Sequence, residues 1–212
     1  MISADGTAIA YDRAGAGPAV ILVGGGATDR SENARLAAAL AARFTVFNYD
    51  RRGRGASGDT LPYAVQREFE DIAALVSEAG GSAHLFGASS GGALALEAAA
   101  AGVAIDRLAV YEVPYQTGDA WPAQWRAYVV ELTALLAAGR RGDAFARFMR
   151  LAEVPGDAIA AALPASERIV LEGQGHVPDP AVVAPVLTRF FAPNSDVRPG
   201  DSGKSPGRRS SL

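Results

Sequence analysis

The sequence predicts an α/β fold: a mostly parallel sheet with helices on both faces. Three observations carry that expectation. Short β-rich runs alternate with helical stripes from Phe44 to Tyr111, glycine-rich loops close several of those runs, and an apolar content of 49% against 20% charged residues supports one sizeable core.

The elements follow in order. Thr7 to Tyr11 and Ala19 to Val23 read as a hairpin about the turn residues Gly15, Gly17 and Pro18. After a glycine-rich loop, residues 33–42 have helical composition, and Phe44 to Tyr49 is a strand ending in the polar, glycine-rich segment Asp50 to Gly58. Residues 65–79 carry Phe69, Ile72, Leu75 and Val76 on one helical stripe, and Ala83 to Phe86 is a short apolar strand. Gly91 to Ala101 is an alanine- and leucine-rich helix, followed by a strand from Arg107 to Tyr111.

From Trp121 to Leu151 the pattern is wholly helical, with Trp125, Tyr128, Leu132 and Leu135 on one stripe and Phe145, Phe148 and Met149 in a second segment. Such helices either form a lid or pack on the sheet. Residues 157–163 read as a further short helix, residues 168–171 as a last strand, and Val182 to Phe191 as the closing helix. The expected domain therefore spans residues 1–192, with the helical insertion at about 117–152. Residues 193–212 are almost free of apolar side chains and are expected to be a disordered tail, because they cannot offset their ordering entropy. Gly203, Lys204 and Ser205 resemble the end of a phosphate-binding loop, but Arg198 stands where that motif needs glycine.

Charge and composition narrow the function classes. A net charge of -3 and a pI near 5.4 give no field that gathers phosphates or anionic lipid, so small neutral ligands are expected rather than nucleic acid or membrane. With no cysteine, the chain lacks disulfides, thiolate metal sites and cysteine nucleophiles. Met1 to Tyr11 offers no signal-peptide pattern, and no apolar run approaches the ~20 residues that span a bilayer. A cytoplasmic protein is the expectation.

The strongest chemical signal is Gly87-Ala88-Ser89-Ser90-Gly91, between a strand and a helix. A serine in so tight a turn is presented at the sheet edge, and glycines two before and two after it remove Cβ atoms that would clash. The bland alternative is a plain glycine-serine turn. A serine nucleophile needs a base, for which histidine suits at neutral pH. Of the 2 histidines, His84 lies within the strand leading to the turn and reads as structural, whereas His176 sits in a glycine-rich loop before Pro178 and reads as the base.

These segments together resemble the α/β-hydrolase superfamily over residues 1 to about 192. Leu22-Val23-Gly24-Gly25-Gly26 is similar to the family's first loop, with Gly24 where a histidine usually stands. Asp50-Arg51-Arg52-Gly53-Arg54-Gly55-Ala56-Ser57 resembles its Asp-x-Arg-Gly-x-Gly-x-Ser loop, with one further arginine, and residues 170–176 resemble the strand and loop that deliver its catalytic histidine. The resemblance implies Ser89 as nucleophile, His176 as base, and an oxyanion hole from the N–H groups of Gly26 and Ser90. It further implies substrate contacts at Gly25, Trp121 and Trp125, and neither metal nor organic cofactor.

The family's usual strand before the histidine, whose loop supplies an aspartate, has no counterpart in residues 152–156. Asp157 reads as a helix N-cap, and Glu112, at the end of the strand Arg107 to Tyr111, is the better candidate acid. The expected function is acyl-enzyme hydrolysis of carboxylic esters or related small acyl compounds. A non-catalytic or truncated relative acting as a binding protein is the alternative. Gly53-Arg54-Gly55-Ala56-Ser57-Gly58 also matches a dinucleotide-binding fingerprint, but Pro62 interrupts the helix that motif should open.

Overall fold

The structure, a computed structural model, describes residues 1–115, 121–149 and 167–192. Its centre is a five-stranded sheet in the order β1-β3-β2-β4-β5. The strands are β1 (Tyr11–Ala14), β2 (Ala19–Val23), β3 (Thr45–Tyr49), β4 (Ala83–Ala88) and β5 (Ile105–Tyr111). The helices are α1 (Ala34–Leu40), α2 (Val65–Glu78), α3 (Ser90–Ala100), α4 (Trp121–Ala137), α5 (Arg141–Met149) and α6 (Pro180–Phe191).

The period of two along each strand distributes the core to both faces. In β2, Ile21 and Val23 join Phe47, Tyr49 and Leu85 beneath Ile72 and Leu75 of α2 and Leu94 of α3. Val20 and Leu22 point the other way, to Leu36 and Leu40 of α1 and Val183, Leu187 and Phe191 of α6. Central strands buried on both faces must be apolar throughout, and β2 (AVILV) is. Each fully buried Leu, Ile or Phe contributes on the order of 1.5–3 kcal/mol.

Two expected strands are corrected. The opening segments do not form a hairpin: β1 pairs antiparallel with β3, Tyr11 opposite Tyr49, while β2 pairs in parallel with β3 on one side and β4 on the other. Both edges of β2 are thus taken by parallel neighbours, and β1 lies at the outer edge of β3. The intervening turn passes tightly over the end of α1, where a Cβ on Gly15 would lie 2.2 Å from the carbonyl oxygen of Phe44. The glycine signal was therefore one of close approach, not of a two-strand turn.

Residues 168–171 run without a ladder partner among the described residues, leaving Ile169 39% and Val170 58% exposed, so they form no strand. The other expected elements are present within a few residues, with β4 extended to Ala88 and β5 begun at Ile105. The expected helix at residues 157–163, Asp157 itself and the tail at 193–212 lie outside the described residues. Within α4, Tyr128 is buried, Leu132 and Leu135 are half-buried, and Trp125 is exposed. No helix among the described residues is long and apolar enough to cross a membrane.

Candidate active site

The C-terminal ends of β2, β4 and β5 meet at one edge of the sheet, where parallel α/β folds bind their ligands. Ser89 stands between β4 and α3 with φ 51° and ψ -127°, a conformation that costs a non-glycine residue on the order of 1–3 kcal/mol. Its neighbours make the turn possible. A Cβ on Gly87 would lie 2.5 Å from Gly91 O, and one on Gly91 would lie 2.3 Å from Val23 O and 2.4 Å from Gly24 O. The Ser89 hydroxyl makes no capping bond to α3.

Among the described residues only Ala27 and Glu112 share this departure, with φ 57° and 46°. Ala27 follows Gly26 in the first loop. Glu112 directly follows β5 with its backbone in the left-handed region. The strain thus gathers on the three segments that carry the candidate groups.

Glu112 meets His176, with Oε2 2.5 Å from Nδ1. The loop bearing His176 is also fixed by the Tyr111 hydroxyl, which donates to Gly175 O at 2.6 Å, and by Gln174 Oε1, which accepts from Asp179 N at 2.8 Å. Asp179 then caps α6 by accepting from Ala181 N at 2.9 Å, with Pro180 in the first turn. Ser89 is tied to the same strand end, since its N–H donates to Tyr111 O at 2.8 Å. The Ser89 hydroxyl and the imidazole are not hydrogen bonded to each other; in ligand-free sites such bonds are often open and tighten on binding. His176 and Ala88 line one groove with Glu32, Phe86, Pro178 and Val183.

On the other side of Ser89 lies the glycine loop. A Cβ on Gly25 would fall 3.6 Å from Ser89 Cβ, and one on Gly26 would fall 3.5 Å from Ser90 Oγ. The structure therefore brings Gly25, Gly26, Ser89 and Ser90 together. Among the described residues, the N–H groups of Gly26 and Ser90 donate to no protein acceptor. Phe148 of α5 covers the loop, its ring 2.8 Å from where a Gly26 Cβ would be. Trp125 lies with its ring tilted 30° to that of Tyr128 at 5.3 Å within α4, and the side chain of Trp121 lies outside the described residues.

Arginines brace this loop from beneath. Buried Arg51 forms a bidentate pair with buried Glu68, at 2.6 and 2.7 Å, and its Nη1 donates to Gly24 O at 3.3 Å and to Ser90 Oγ at 3.2 Å. Burial alone would raise the Glu68 carboxyl, yet hydrogen bonds from Arg51 and Tyr63 and the Arg51 charge hold it below the ordinary carboxylate range. Arg52 pairs with Asp71 at 2.7 Å and Asp5 at 2.8 Å, and Arg54 donates to Gly25 O at 2.5 Å. Burial and then the charge of Arg51 push the Arg54 guanidinium down. Buried Asp50 accepts from Arg30 N and Ala56 N, each at 2.8 Å, joining the first loop to the arginine loop.

The sequence reading missed the contacts of Arg51, Arg54, Tyr111 and Phe148. A signal existed for one pair: Glu68 and Asp71 sit three apart on the apolar stripe of α2, and acids on such a face require buried cationic partners. His84 is buried within β4 and stacked on Phe191 at 4.9 Å. Gly53 to Gly58 opens no helix, unlike a dinucleotide-binding loop. No group of three potential metal ligands occurs among the described residues.

A family model described as alpha/beta hydrolase family matches residues 19–200. An alpha/beta hydrolase from Sphaerobacter thermophilus DSM 20745 is 46% identical, with 89% of this chain and 70% of that one covered and a TM-score of 0.66. The enol-lactonase from Burkholderia xenovorans LB400 is 29% identical over 61% of this chain and 52% of that one, with a TM-score of 0.52. The uncharacterized hydrolase YraK of Bacillus subtilis (strain 168) is 34% identical over 96 residues, 43% of this chain. The chain spans 35% of that curated relative's length.

Proposed function

Because the chain belongs to the alpha/beta hydrolase family, we propose that it is a serine hydrolase of carboxylic esters or related small acyl compounds, working through an acyl-enzyme. The observation that carries this reading is the Glu112–His176 contact at 2.5 Å, made beside the strand end to which Ser89 is bonded. With Glu112 accepting from Nδ1–H, the imidazole keeps its Nε2 lone pair for a proton.

Nε2 takes the Ser89 proton as Oγ attacks the acyl carbon, and the carbonyl oxygen becomes an oxyanion between the N–H groups of Gly26 and Ser90. Collapse expels the alcohol, which receives the proton from His176, and leaves Ser89 acylated. Water then attacks with His176 again as base. The acid departs, and Ser89 regains its proton. The likeness to an enol-lactonase makes cyclic esters a substrate class to test beside open-chain ones.

Short-chain p-nitrophenyl esters and a fluorophosphonate probe test the reading. Turnover by the parent chain, its loss in Ser89→Ala, and a probe adduct mapped to Ser89 are expected. Equal turnover by the variant would remove Ser89 from the mechanism, and a parent chain that neither turns over ester nor takes up probe would overturn the reading and leave a non-catalytic binding protein.

A further inference from the structure

The geometry points to Arg54 as a positioning residue for the oxyanion donor of Gly26, an inference that rests on the serine-hydrolase reading above. The argument starts from the peptide bond between Gly25 and Gly26, which is trans and planar, so the carbonyl of Gly25 and the N–H of Gly26 point in opposite directions. Arg54 Nη1 holds that carbonyl at 2.5 Å. Fixing one end of the plane fixes the other, and the Gly26 N–H must face away from the arginine. That N–H has no acceptor among the described residues.

A peptide between two glycines is the most rotatable kind, because no Cβ restricts either side. Without an anchor it would exchange an N–H aimed at the substrate for a carbonyl, turning a stabilising dipole into a repelling one. Arg51 performs the neighbouring task, bonding Gly24 O and Ser90 Oγ. Its bidentate bond to Glu68 makes it a structural strut as well, and removing it would take the guanidinium from a buried carboxylate.

Arg54 differs. It is half-buried and beside a second guanidinium, both of which push against its charge more than the nearby Glu68 carboxylate supports it. Among the described residues the only hydrogen bond of its guanidinium is to Gly25 O. Its guanidinium is thus hydrogen bonded to no carboxylate among them, and its one bond goes to the peptide of the glycine loop. Orientation of that peptide is what the bond supplies.

The test compares Arg54→Met and Arg54→Lys with the parent chain. Met keeps the apolar, unbranched stem without a donor, and its melting temperature should stay near the parent's because no carboxylate loses a hydrogen-bonded partner. In Arg54→Met, kcat for p-nitrophenyl esters should fall about tenfold or more, part of the 10²–10³ that losing a whole oxyanion donor costs, with KM little changed. Arg54→Lys should recover most of the loss. In protein labelled with 15N-glycine, the Gly26 amide signal should shift or broaden in Arg54→Met and return in Arg54→Lys. An unchanged Gly26 amide in Arg54→Met would overturn the assignment whatever the activity, as would unchanged kcat in an active, folded variant. A parent chain without turnover or probe labelling would instead remove the hydrolase reading, and with it any role for Arg54 in an oxyanion site.

Discussion

Glu112 and His176, 64 residues apart in the chain, meet at 2.5 Å between Oε2 and Nδ1. Neither belongs to a regular element: one directly follows β5 at a left-handed residue, the other sits in the loop before α6. On the proposed mechanism, Glu112 fixes the imidazole tautomer and stabilises its cation. Glu112→Gln keeps the shape and removes the charge, so kcat should fall by about 10²–10⁴ with KM little altered. Steady-state kinetics on a p-nitrophenyl ester check this, and a loss below about threefold would remove Glu112 from the triad.

Tyr111 braces the same loop through its bond to Gly175 O at 2.6 Å. Tyr111→Phe removes only that hydroxyl. The expected cost is about 0.5–1.5 kcal/mol of stability and roughly threefold to tenfold in kcat, since His176 keeps Glu112 but loses a second tether. Urea unfolding and kinetics on one preparation separate the two effects.

Gly91 tolerates no side chain. Its Cβ would meet the backbone oxygens of Val23 and Gly24 at 2.3 and 2.4 Å, and backbone cannot swing aside as a flexible side chain can. Gly91→Ala should destabilise by more than about 3 kcal/mol, visible as a large drop in melting temperature or loss of soluble protein. A variant melting within a few degrees of the parent would contradict the close passage of α3 beneath β2.

His84 gives a pH signature of stability. Burial holds its imidazole below the ordinary 6.5, with Asp106 opposing and Arg107 adding to the shift. The unfolded chain therefore binds the proton more readily. The stability this provides is complete above about 6.5 and is lost as pH falls from there towards the folded value. His84→Phe keeps an aromatic ring against Phe191 and removes the proton site, so urea midpoints of the variant should fall less between about pH 7.5 and pH 5 than the parent's. Identical pH slopes for the two would show that His84 does not titrate with unfolding.

Much of the architecture was legible because it rests on local patterns. The alternation of apolar runs from Phe44 to Tyr111 and the glycines about Ser89 encode strands, helices and a tight turn over a few residues each. Contacts between distant segments were not so encoded. Glycine and proline at 15–18 mark a turn whichever partner the strand finds, and β1 found β3 because β2 had no free edge. Arg51 and Arg54 were visible as residues, but their bonds to Gly24 O and Gly25 O follow from the fold and not from spacing. Residues 168–171 show the converse: a β-rich run does not become a strand without a partner to complete its ladder.

Phe148 rests on Gly26, yet it comes from a helix pair, α4 and α5, inserted after β5. On the proposed reading, the machinery that breaks a bond and the surface that admits a molecule to it are separate mechanical parts. A change of residue in α5 can then redraw the shape of what is accepted while every proton still travels the same route along the strand ends.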